Sequence, residues 1–241
     1  VGGLDVDTFT LAADSQYAGN LDGAAGTDTL TFAAYTTGRA VTLTALGHLD
    51  GFSGKEASLG VGFTNINTLV GSGTLTDVLT GMNASATWDI DTLAGNQYTV
   101  NPTLDFSDFE TLTGGSGADT FNISGAQTHT LKGGSGDDIF KFVHNGDALI
   151  GIIDGGIGSD TVDYRAYTSA VTVDIALGVA TGINGIKSIE RIVGGSGATT
   201  MSGDAGDNIF VAGGGNTTMR GLGGDDTYVF LNGWGTAIVE E

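Results

Sequence analysis

Short stretches in which apolar residues alternate with threonine or other polar residues recur along the chain. A period of two is typical of β-strands with one buried face, and the intervening segments are rich in Gly, Ser, Asn and Asp, which favour turns. A helical period is nearly absent. The clearest predicted strands are Thr29–Phe32, Ala40–Leu43, Thr120–Ile123, Ala170–Ile175 and Thr227–Leu231. The pattern therefore predicts an all-β protein built from many short strands.

A nine-residue unit fills several of the turns between these predicted strands. Its glycines permit positive φ angles and close approach of the backbone. Its sixth residue is Asp, which supplies a hard oxygen ligand, and its apolar eighth residue is expected to face inward on a strand. The four clearest copies are GGSGADTFN from Gly114, GGSGDDIFK from Gly133, GGIGSDTVD from Gly155 and GLGGDDTYV from Gly221.

The pattern G-G-x-G-x-D-x-U-x, in which U is a large apolar residue, resembles the calcium-binding nonapeptide of the RTX (haemolysin-type) repeat family. Such repeats occur in large secreted bacterial adhesin-like and surface proteins. Trp88 in ATWDI, followed by FSDFETLTGGSGADTF, resembles repeats of these surface proteins as well. The resemblance implies an all-β fold of the parallel β-roll or β-helix solenoid type, with Gly- and Asp-rich calcium-binding turns.

In a β-roll two nonapeptides make one turn, so alternate copies stack on the same side. Four copies follow in frame from Gly194, which places Thr199 over Thr217 on one side and Asn208 below Asp226 on the other. We therefore expect one side that can bind metal and one side closed by a pair of threonines, since Thr–Thr pairs stabilise neighbouring strands.

The three upstream copies are less regularly spaced. If the extra residues bulge outward, Asp119, Asp138 and Asp160 form one column, with room for calcium between successive levels. For any single Asp the alternative is an Asx-turn that binds no metal.

Resemblance to RTX repeats implies calcium ligands from the sixth-position Asp of stacked turns and from turn carbonyl groups. Asp28 matches this pattern less well, because Ala24 replaces one of the glycines. The fifth-position residues Asp137, Asp207 and Asp225 are secondary candidates. Carried over position by position, the metal-site residues are Asp119, Asp138, Asp160, Asp226, Asp28 and the neutral substitute Asn208, with the turn glycines Gly115, Gly117, Gly134, Gly136, Gly156 and Gly158.

The charge balance favours cations as partners. The chain has 28 acidic and 8 basic residues and a net charge of −20, which disfavours nucleic acids and anionic membrane surfaces. Two carboxylates about 5 Å apart repel by roughly 3 kcal/mol at an effective dielectric constant near 20. Ca²⁺ removes this repulsion, so we expect metal binding to be coupled to folding. The chain contains no cysteine and no apolar run long enough for a membrane helix.

We expect one continuous solenoid that is a fragment of a longer protein. Its predicted segments are 1–113, with degenerate repeats; 114–163, with RTX-type repeats; 164–193, an apolar insert; and 194–241, with RTX-type repeats. The expected function is structural and not enzymatic: a calcium-stabilised segment of a large extracellular bacterial adhesin, surface-layer or filament protein, secreted by the type I route to the cell surface. Other expected partners are further copies of the chain end to end and cell-surface polysaccharide.

Two other functions compete with this hypothesis. One is a non-catalytic, calcium-dependent folding or secretion module of a secreted RTX toxin or hydrolase. The other is a catalytic solenoid of the polysaccharide lyase type, which the scarcity of basic residues disfavours. His48, His129 and His144 show no spacing typical of a zinc site. The sequence shows no strict T-x-T array on consecutive turns, which argues against a flat ice-binding or polymer-binding face.

Overall fold

The described residues form β-strands and no helix. The computed structural model describes residues 1–13, 15–73 and 76–240. Within these ranges no helix is long and apolar enough to cross a membrane. The chain divides into two compact units, Val1–Asp89 with Leu93–Gly117 (unit 1) and Ile90–Thr92 with Ala118–Glu241 (unit 2). The prediction of an all-β protein is confirmed for the described ranges.

Unit 1 is made of two sheets. Sheet 1a has the spatial order β1-β3-β7-β11-β10-β9, and sheet 1b the order β2-β6-β5-β4-β8-β12. Most of these neighbours are parallel; β9-β10-β11 and β4-β5-β6 are antiparallel meanders. The strands are β1 (Thr8–Thr10), β2 (Asn20–Asp22), β3 (Thr29–Thr31), β4 (Ala40–Leu46), β5 (Phe52–Lys55), β6 (Gly62–Ile66), β7 (Thr68–Val70), β8 (Val78–Thr80), β9 (Thr87–Asp91, its last two residues in unit 2), β10 (Asn96–Thr99), β11 (Thr103–Ser107) and β12 (Thr111–Gly115).

Unit 2 also contains two sheets, and its strands mostly alternate between them along the chain. Sheet 2a has the order β13-β16-β18-β22-β24-β26, and every pair in it is parallel. Sheet 2b has the order β15-β17-β21-β20-β19-β23-β25-β27, and β14 also pairs with β17. The strands are β13 (Thr120–Ser124), β14 (Ala126–Gln127), β15 (Thr130–Ser135), β16 (Ile139–Phe142), β17 (Ala148–Ile157), β18 (Thr161–Asp163), β19 (Val171–Asp174), β20 (Val179–Ala180), β21 (Ile183–Lys187), β22 (Arg191–Val193), β23 (Thr199–Ser202), β24 (Ile209–Ala212), β25 (Thr217–Arg220), β26 (Thr227–Phe230) and β27 (Ala237–Glu240).

The inward positions of sheet 2a carry the apolar residues of the nonapeptides. Phe121, Phe140 and Val162 occupy neighbouring positions on β13, β16 and β18, and all three are fully buried. The rings of Phe121 and Phe140 stack with their centroids 5.0 Å apart. Phe210 and Tyr228 stack in the same way on β24 and β26. Stacked rings hold neighbouring strands at a constant register.

The core of unit 1 is also aromatic. The ring of Trp88 lies 4.5 Å from that of Tyr98, and both side chains are fully buried. Tyr35 in unit 1 and Tyr167 in unit 2 are buried as well, whereas Trp234 is 45% exposed. Trp88, Tyr35 and Tyr167 therefore belong to the cores of their units.

The register of sheet 1a brings threonines of different strands side by side. It places Thr8 and Thr10 of β1 beside Thr29 and Thr31 of β3, and Thr29 beside Thr68 of β7. T-x-T therefore recurs on β1 and β3 and ends at β7, where Val70 takes the second position. The sequence conceals it because the intervening loops have very different lengths.

Candidate functional site

One column of polar residues runs along sheet 2a, at the position immediately before each strand. Because the strands are parallel and in register, these positions lie on the same edge of the sheet. All three upstream Asp residues of the predicted metal site belong to this column, and so do both downstream residues. Its members are Asp119 before β13, Asp138 before β16, Asp160 before β18, Glu190 before β22, Asn208 before β24 and Asp226 before β26.

Four side chains in the column accept a hydrogen bond from the backbone of the preceding level: Asp138, Asp160, Glu190 and Asp226. Oδ1 of Asn208 instead accepts the N–H of Asp204 in its own turn at 2.9 Å. The N–H of Asp119 donates to Oδ1 of Asp138 at 2.7 Å, and the N–H of Asp138 donates to Oδ1 of Asp160 at 2.8 Å. The N–H of Asn208 donates in the same way to Oδ1 of Asp226 at 2.9 Å. Hydrogen bonds to ionised acceptors are stronger than neutral ones, so the column links the levels of the unit whether or not metal is bound.

Glu190 is a member of the column that sequence reasoning missed. Its Oε2 accepts the N–H of Asp160 at 2.8 Å, and the N–H of Ile209 donates to its carbonyl oxygen. Glu190 lies in IKSIERIV and not in a Gly-rich turn, so the nonapeptide pattern does not include it. The signal that could have identified Glu190 is its position directly before β22. This strand pairs with β18, which begins directly after Asp160.

The first glycine of a unit leaves space for the side chain five residues later. A Cβ atom on Gly133 would lie 2.1 Å from Oδ2 of Asp138, and one on Gly155 would lie 2.5 Å from Oδ2 of Asp160. Such distances are far inside van der Waals contact. The same relationship holds for the pairs Gly2 and Asp7, Gly23 and Asp28, Gly203 and Asn208, and Gly221 and Asp226.

Three of the six glycines named in the sequence prediction lie in strands, Gly115 in β12, Gly134 in β15 and Gly156 in β17, and the other three lie in the bends that follow. Five of them have positive φ angles: Gly115, Gly134, Gly136, Gly156 and Gly158. At Gly117 the constraint is space, because a Cβ atom would lie 2.3 Å from the backbone nitrogen of Ser85. The glycines therefore let consecutive turns approach closely.

The second oxygen of two column carboxylates faces other oxygen atoms. Oδ2 of Asp138 and Oδ2 of Asp160 are buried and accept no hydrogen bond from the described residues. Oδ2 of Asp138 and the carbonyl oxygen of Gly155 both lie within 2.5 Å of the position that a Cβ on Gly133 would take. Around Gly155, the carbonyl oxygen of Ser188 and Oδ2 of Asp160 are arranged in the same way. Two acceptor oxygens that lie near each other repel, and a proton or a cation between them would remove this repulsion.

The electrostatics reflect this arrangement. Burial raises the pKa of Asp138 to about 6, partly opposed by the hydrogen bond from the N–H of Asp119. Burial, with smaller contributions from the nearby charges of Asp138 and Glu190, raises the pKa of Asp160 to about 7, partly opposed by the hydrogen bond from the N–H of Asp138. In the absence of metal, both carboxyl groups thus bind protons more strongly than an exposed Asp, and a cation at this position would displace those protons.

Asp28 repeats the arrangement in unit 1. It is fully buried, its Oδ1 accepts the N–H of Asp7 at 2.9 Å, and its own N–H donates to Oδ1 of Asn67 at 2.9 Å. Burial raises its pKa, and its Oδ2 accepts no hydrogen bond from the described residues. Asp7 and Asn67, which the sequence interpretation omitted, therefore extend a second column along sheet 1a.

The side chains of the fifth and sixth positions differ in environment. Asp137 and Asp207 are exposed; their Oδ1 atoms accept the N–H groups of Ser159 and Asp225 at 2.8 and 2.7 Å. They form surface links between levels. The sixth-position side chains of Asp119, Asp138, Asp160 and Asn208 are buried, and that of Asp226 is half-buried.

The opposite side of unit 2 is closed by threonines. Thr199 and Thr217 are paired on β23 and β25, and each is 2% exposed. Their Oγ1 atoms donate to the carbonyl oxygens of Gly197 and Gly215. Each threonine hydroxyl group thus forms a hydrogen bond within its own turn. Because threonine stands at these two positions in place of Asp, they carry no buried carboxylate that would require a counter-ion.

The donor set fits a hard cation only in part. Among the described residues no group of three or more His, Cys, Asp or Glu side chains is placed to bind one metal ion. The levels of Asp138 and Asp160 instead each offer one buried carboxylate oxygen near a backbone carbonyl oxygen, and Ca²⁺ accepts both kinds of ligand. A cation here would bind mainly to backbone oxygens, with Asp side chains supplying the charge.

Comparison with known proteins identifies no relative: no protein-family model matches the chain, and no curated protein matches it. The resemblance to RTX repeats therefore rests on the nonapeptides alone. In the structure, the first glycine of the nonapeptide leaves the space that the sixth-position side chain occupies.

Proposed function

We propose that this chain is a calcium-stabilised structural repeat segment of a large extracellular bacterial adhesin, surface-layer or filament protein. The observation that carries the proposal is the pair of buried oxygens, Oδ2 of Asp138 and Oδ2 of Asp160, each beside a backbone carbonyl oxygen of the next level. A repeated, buried and unsatisfied carboxylate is costly to maintain, and Ca²⁺ is the common extracellular ion with matching ligand preferences.

The strand order supports a β-roll or β-helix solenoid as the architecture of this segment. In unit 2 the chain passes from β22 in sheet 2a to β23 in sheet 2b, then to β24 in sheet 2a and β25 in sheet 2b. Each return adds a parallel strand beside the one before it. Such a chain coils with every turn contacting only its neighbours, which suits an extended spacer better than an enzyme.

The residues that would hold calcium are members of the two columns whose side chains are buried or half-buried. In unit 2 they are the buried Asp119, Asp138 and Asp160 and the half-buried Asp226, with the buried Asn208 as a neutral neighbour, and in unit 1 the buried Asp28. Turn carbonyl groups would complete the coordination. When bound, the ion supplies the positive charge that lets stacked carboxylates remain ionised at neutral pH, and the binding free energy adds to the stability of the folded chain.

A calcium titration tests the proposal. Circular dichroism and urea unfolding of the whole chain in EDTA, in millimolar Ca²⁺ and in millimolar Mg²⁺ should show stabilisation by Ca²⁺ well above that by Mg²⁺, because Mg²⁺ requires near-octahedral geometry and loses its water reluctantly. The double variant Asp138→Asn with Asp160→Asn should lose most of the calcium response. The control Asp105→Asn removes one exposed carboxylate of sheet 1a and should keep it. Equal stability in EDTA and in Ca²⁺ would disprove the proposal.

A further inference from the structure

Turns before the strands of sheets 1a and 2a are of two kinds, which differ in the hydrogen bond to the sixth-position side chain. In two turns the second residue of the nonapeptide donates its N–H to that side chain. The N–H of Gly3 donates to Oδ2 of Asp7 at 2.7 Å, and the N–H of Asp204 donates to Oδ1 of Asn208 at 2.9 Å. We call these two the closed turns.

Three other turns lack this donor, and we call them the open turns. Their sixth-position residues are Asp28, Asp138 and Asp160. All three residues are 0% exposed, and the Oδ2 atom of each accepts no hydrogen bond from the described residues. Because buried polar atoms nearly always have a partner, three such exceptions at one position of a repeat indicate a bound ligand.

Both kinds of turn place the side-chain oxygen beside a backbone carbonyl oxygen of the next level. The carbonyl oxygens belong to Gly23 and Gly221 in the closed turns, and to Asn65, Gly155 and Ser188 in the open turns. In all five turns both oxygens lie within 2.6 Å of the position that a Cβ atom on the first glycine would take. The pair of facing oxygens is therefore common to the five turns, and the presence of an N–H donor distinguishes them.

The backbone of the second residue differs between the two kinds of turn. Its φ angle is positive in every open turn: +73° at Ala24, +105° at Gly134 and +107° at Gly156. Gly3 and Asp204, in the closed turns, have no positive φ angle. In the open turn of Asp28 the N–H of Ala24 donates to Asp22 instead. Since glycine adopts positive φ angles readily, glycine at the second position permits an open turn.

The two kinds of turn differ in what they require from a ligand. In a closed turn the N–H group supplies positive charge to the side-chain oxygen. An open turn presents a buried carboxylate oxygen and a carbonyl oxygen without a donor, and Ca²⁺ accepts both as ligands. We propose that calcium binds at the open turns of Asp28, Asp138 and Asp160 and not at the closed turns of Asp7 and Asn208. This inference rests on the proposed function and narrows it, because the second residue of the nonapeptide then determines which turns bind the ion.

A double-mutant cycle at the Asn208 turn tests the inference. Asn208→Asp supplies a carboxylate but leaves the turn closed, and Asp204→Gly permits a positive φ angle but leaves a neutral amide. The combined variant has both features. Calcium ions bound per chain are counted by equilibrium dialysis of the whole chain in saturating Ca²⁺, with circular dichroism as the check on folding. The combined variant should bind one ion more than the parent chain, and each single variant should bind the same number as the parent chain.

Hydrogen exchange shows where the additional ion binds. Calcium should slow exchange in residues 203–208 of the combined variant and have no such effect there in the single variants. An additional ion in Asn208→Asp alone would overturn the inference. No additional ion in a folded combined variant would overturn it as well.

A second comparison depends on loss of binding and uses two sixth-position residues. Asp138→Asn should lose one bound ion, whereas Asp7→Asn, which makes the same change in a closed turn, should lose none. If the parent chain binds calcium and both variants lose an ion, the inference fails and the proposed function stands. If the parent chain binds no calcium, both fail.

Discussion

Oδ2 of Asp138 occupies the space that a Cβ atom on Gly133 would fill, 2.1 Å from that position. The two residues lie five apart in one nonapeptide, and the glycine has no positive φ angle. The glycine at this position is therefore needed for space and not for backbone conformation. This relationship explains why glycine begins the units whose sixth residue is Asp or Asn, whereas Ala212 begins the unit whose sixth residue is Thr217.

Replacing Gly133 with alanine should destabilise the chain. The added methyl group must displace either the Asp138 carboxylate or the next turn, and overpacking of this kind typically costs about 1–3 kcal/mol. Urea unfolding at fixed calcium concentration measures the change. Gly214→Ala is the control, because its nearest neighbour would be Cβ of Ser196 at 3.5 Å. Equal losses in the two variants would contradict the steric explanation.

Asp138→Asn should stabilise the chain in EDTA and weaken its response to calcium. The amide keeps Oδ1 as acceptor for the N–H of Asp119 and turns a donor toward the carbonyl oxygen of Gly155. One additional buried hydrogen bond contributes about 1 kcal/mol. Thermal melts with and without Ca²⁺ test both parts. If the variant is less stable than the parent chain in EDTA, repulsion between Oδ2 of Asp138 and the carbonyl oxygen of Gly155 does not destabilise the column.

Stability in EDTA should fall as the pH rises from about 4 to about 7. The pKa values of Asp138 and Asp160 in the folded chain are raised to about 6 and about 7, whereas unfolded Asp titrates near 3.9. Between these values the folded state binds more protons than the unfolded state, so raising the pH favours unfolding. Urea unfolding at pH 5 and pH 8 measures the difference.

Calcium should reverse this pH dependence, because ionised carboxylates are its ligands. In saturating Ca²⁺ the chain should be more stable at pH 8 than at pH 5. The double variant Asp138→Asn with Asp160→Asn distinguishes the titration of these two carboxyl groups from repulsion among the other acidic residues. Its stability in EDTA should vary less with pH than that of the parent chain. If the stability of that variant in EDTA changes with pH as much as that of the parent chain, the pH dependence arises from the net charge instead.

Glu190→Ala should destabilise unit 2 more than Glu190→Gln. Oε2 of Glu190 accepts the N–H of Asp160, and alanine removes that acceptor while glutamine keeps one. An unpaired buried donor costs about 1–3 kcal/mol. The difference between the two variants, measured by urea unfolding, isolates the hydrogen bond from the charge. If the two variants are similarly stable, the hydrogen bond that Glu190 accepts from Asp160 does not contribute to the stability of the column.

The predicted metal residues differ in how well the sequence located them. Asn208 and Asp226 are 18 residues apart, and their strands pair without any insertion, so counting in nonapeptides was sufficient. Asp119, Asp138 and Asp160 required the further assumption that extra residues bulge outward. The parallel pairing of β13, β16 and β18 places them in one column.

The place of Glu190 in the column and the alignment of Thr8, Thr29 and Thr68 could not be predicted from the sequence, for the same reason. Both depend on which strand lies beside which, and this is set by loops of unequal length. Asp160 and Glu190 are 30 residues apart because β19, β20 and β21 are inserted between their strands. Thr8, Thr29 and Thr68 are likewise neighbours only through strand pairing. No fixed period connects such residues.

By itself the sequence determined the class of fold, the strands and the composition of the turns, because alternation of apolar and polar residues and the steric needs of glycine are local properties. Tertiary structure decided which levels lie next to each other. Register across the sheets brings the second oxygen of Asp138 to the carbonyl oxygen of Gly155 and aligns Thr29 with Thr8. These are contacts between strands, and only the packed chain specifies them.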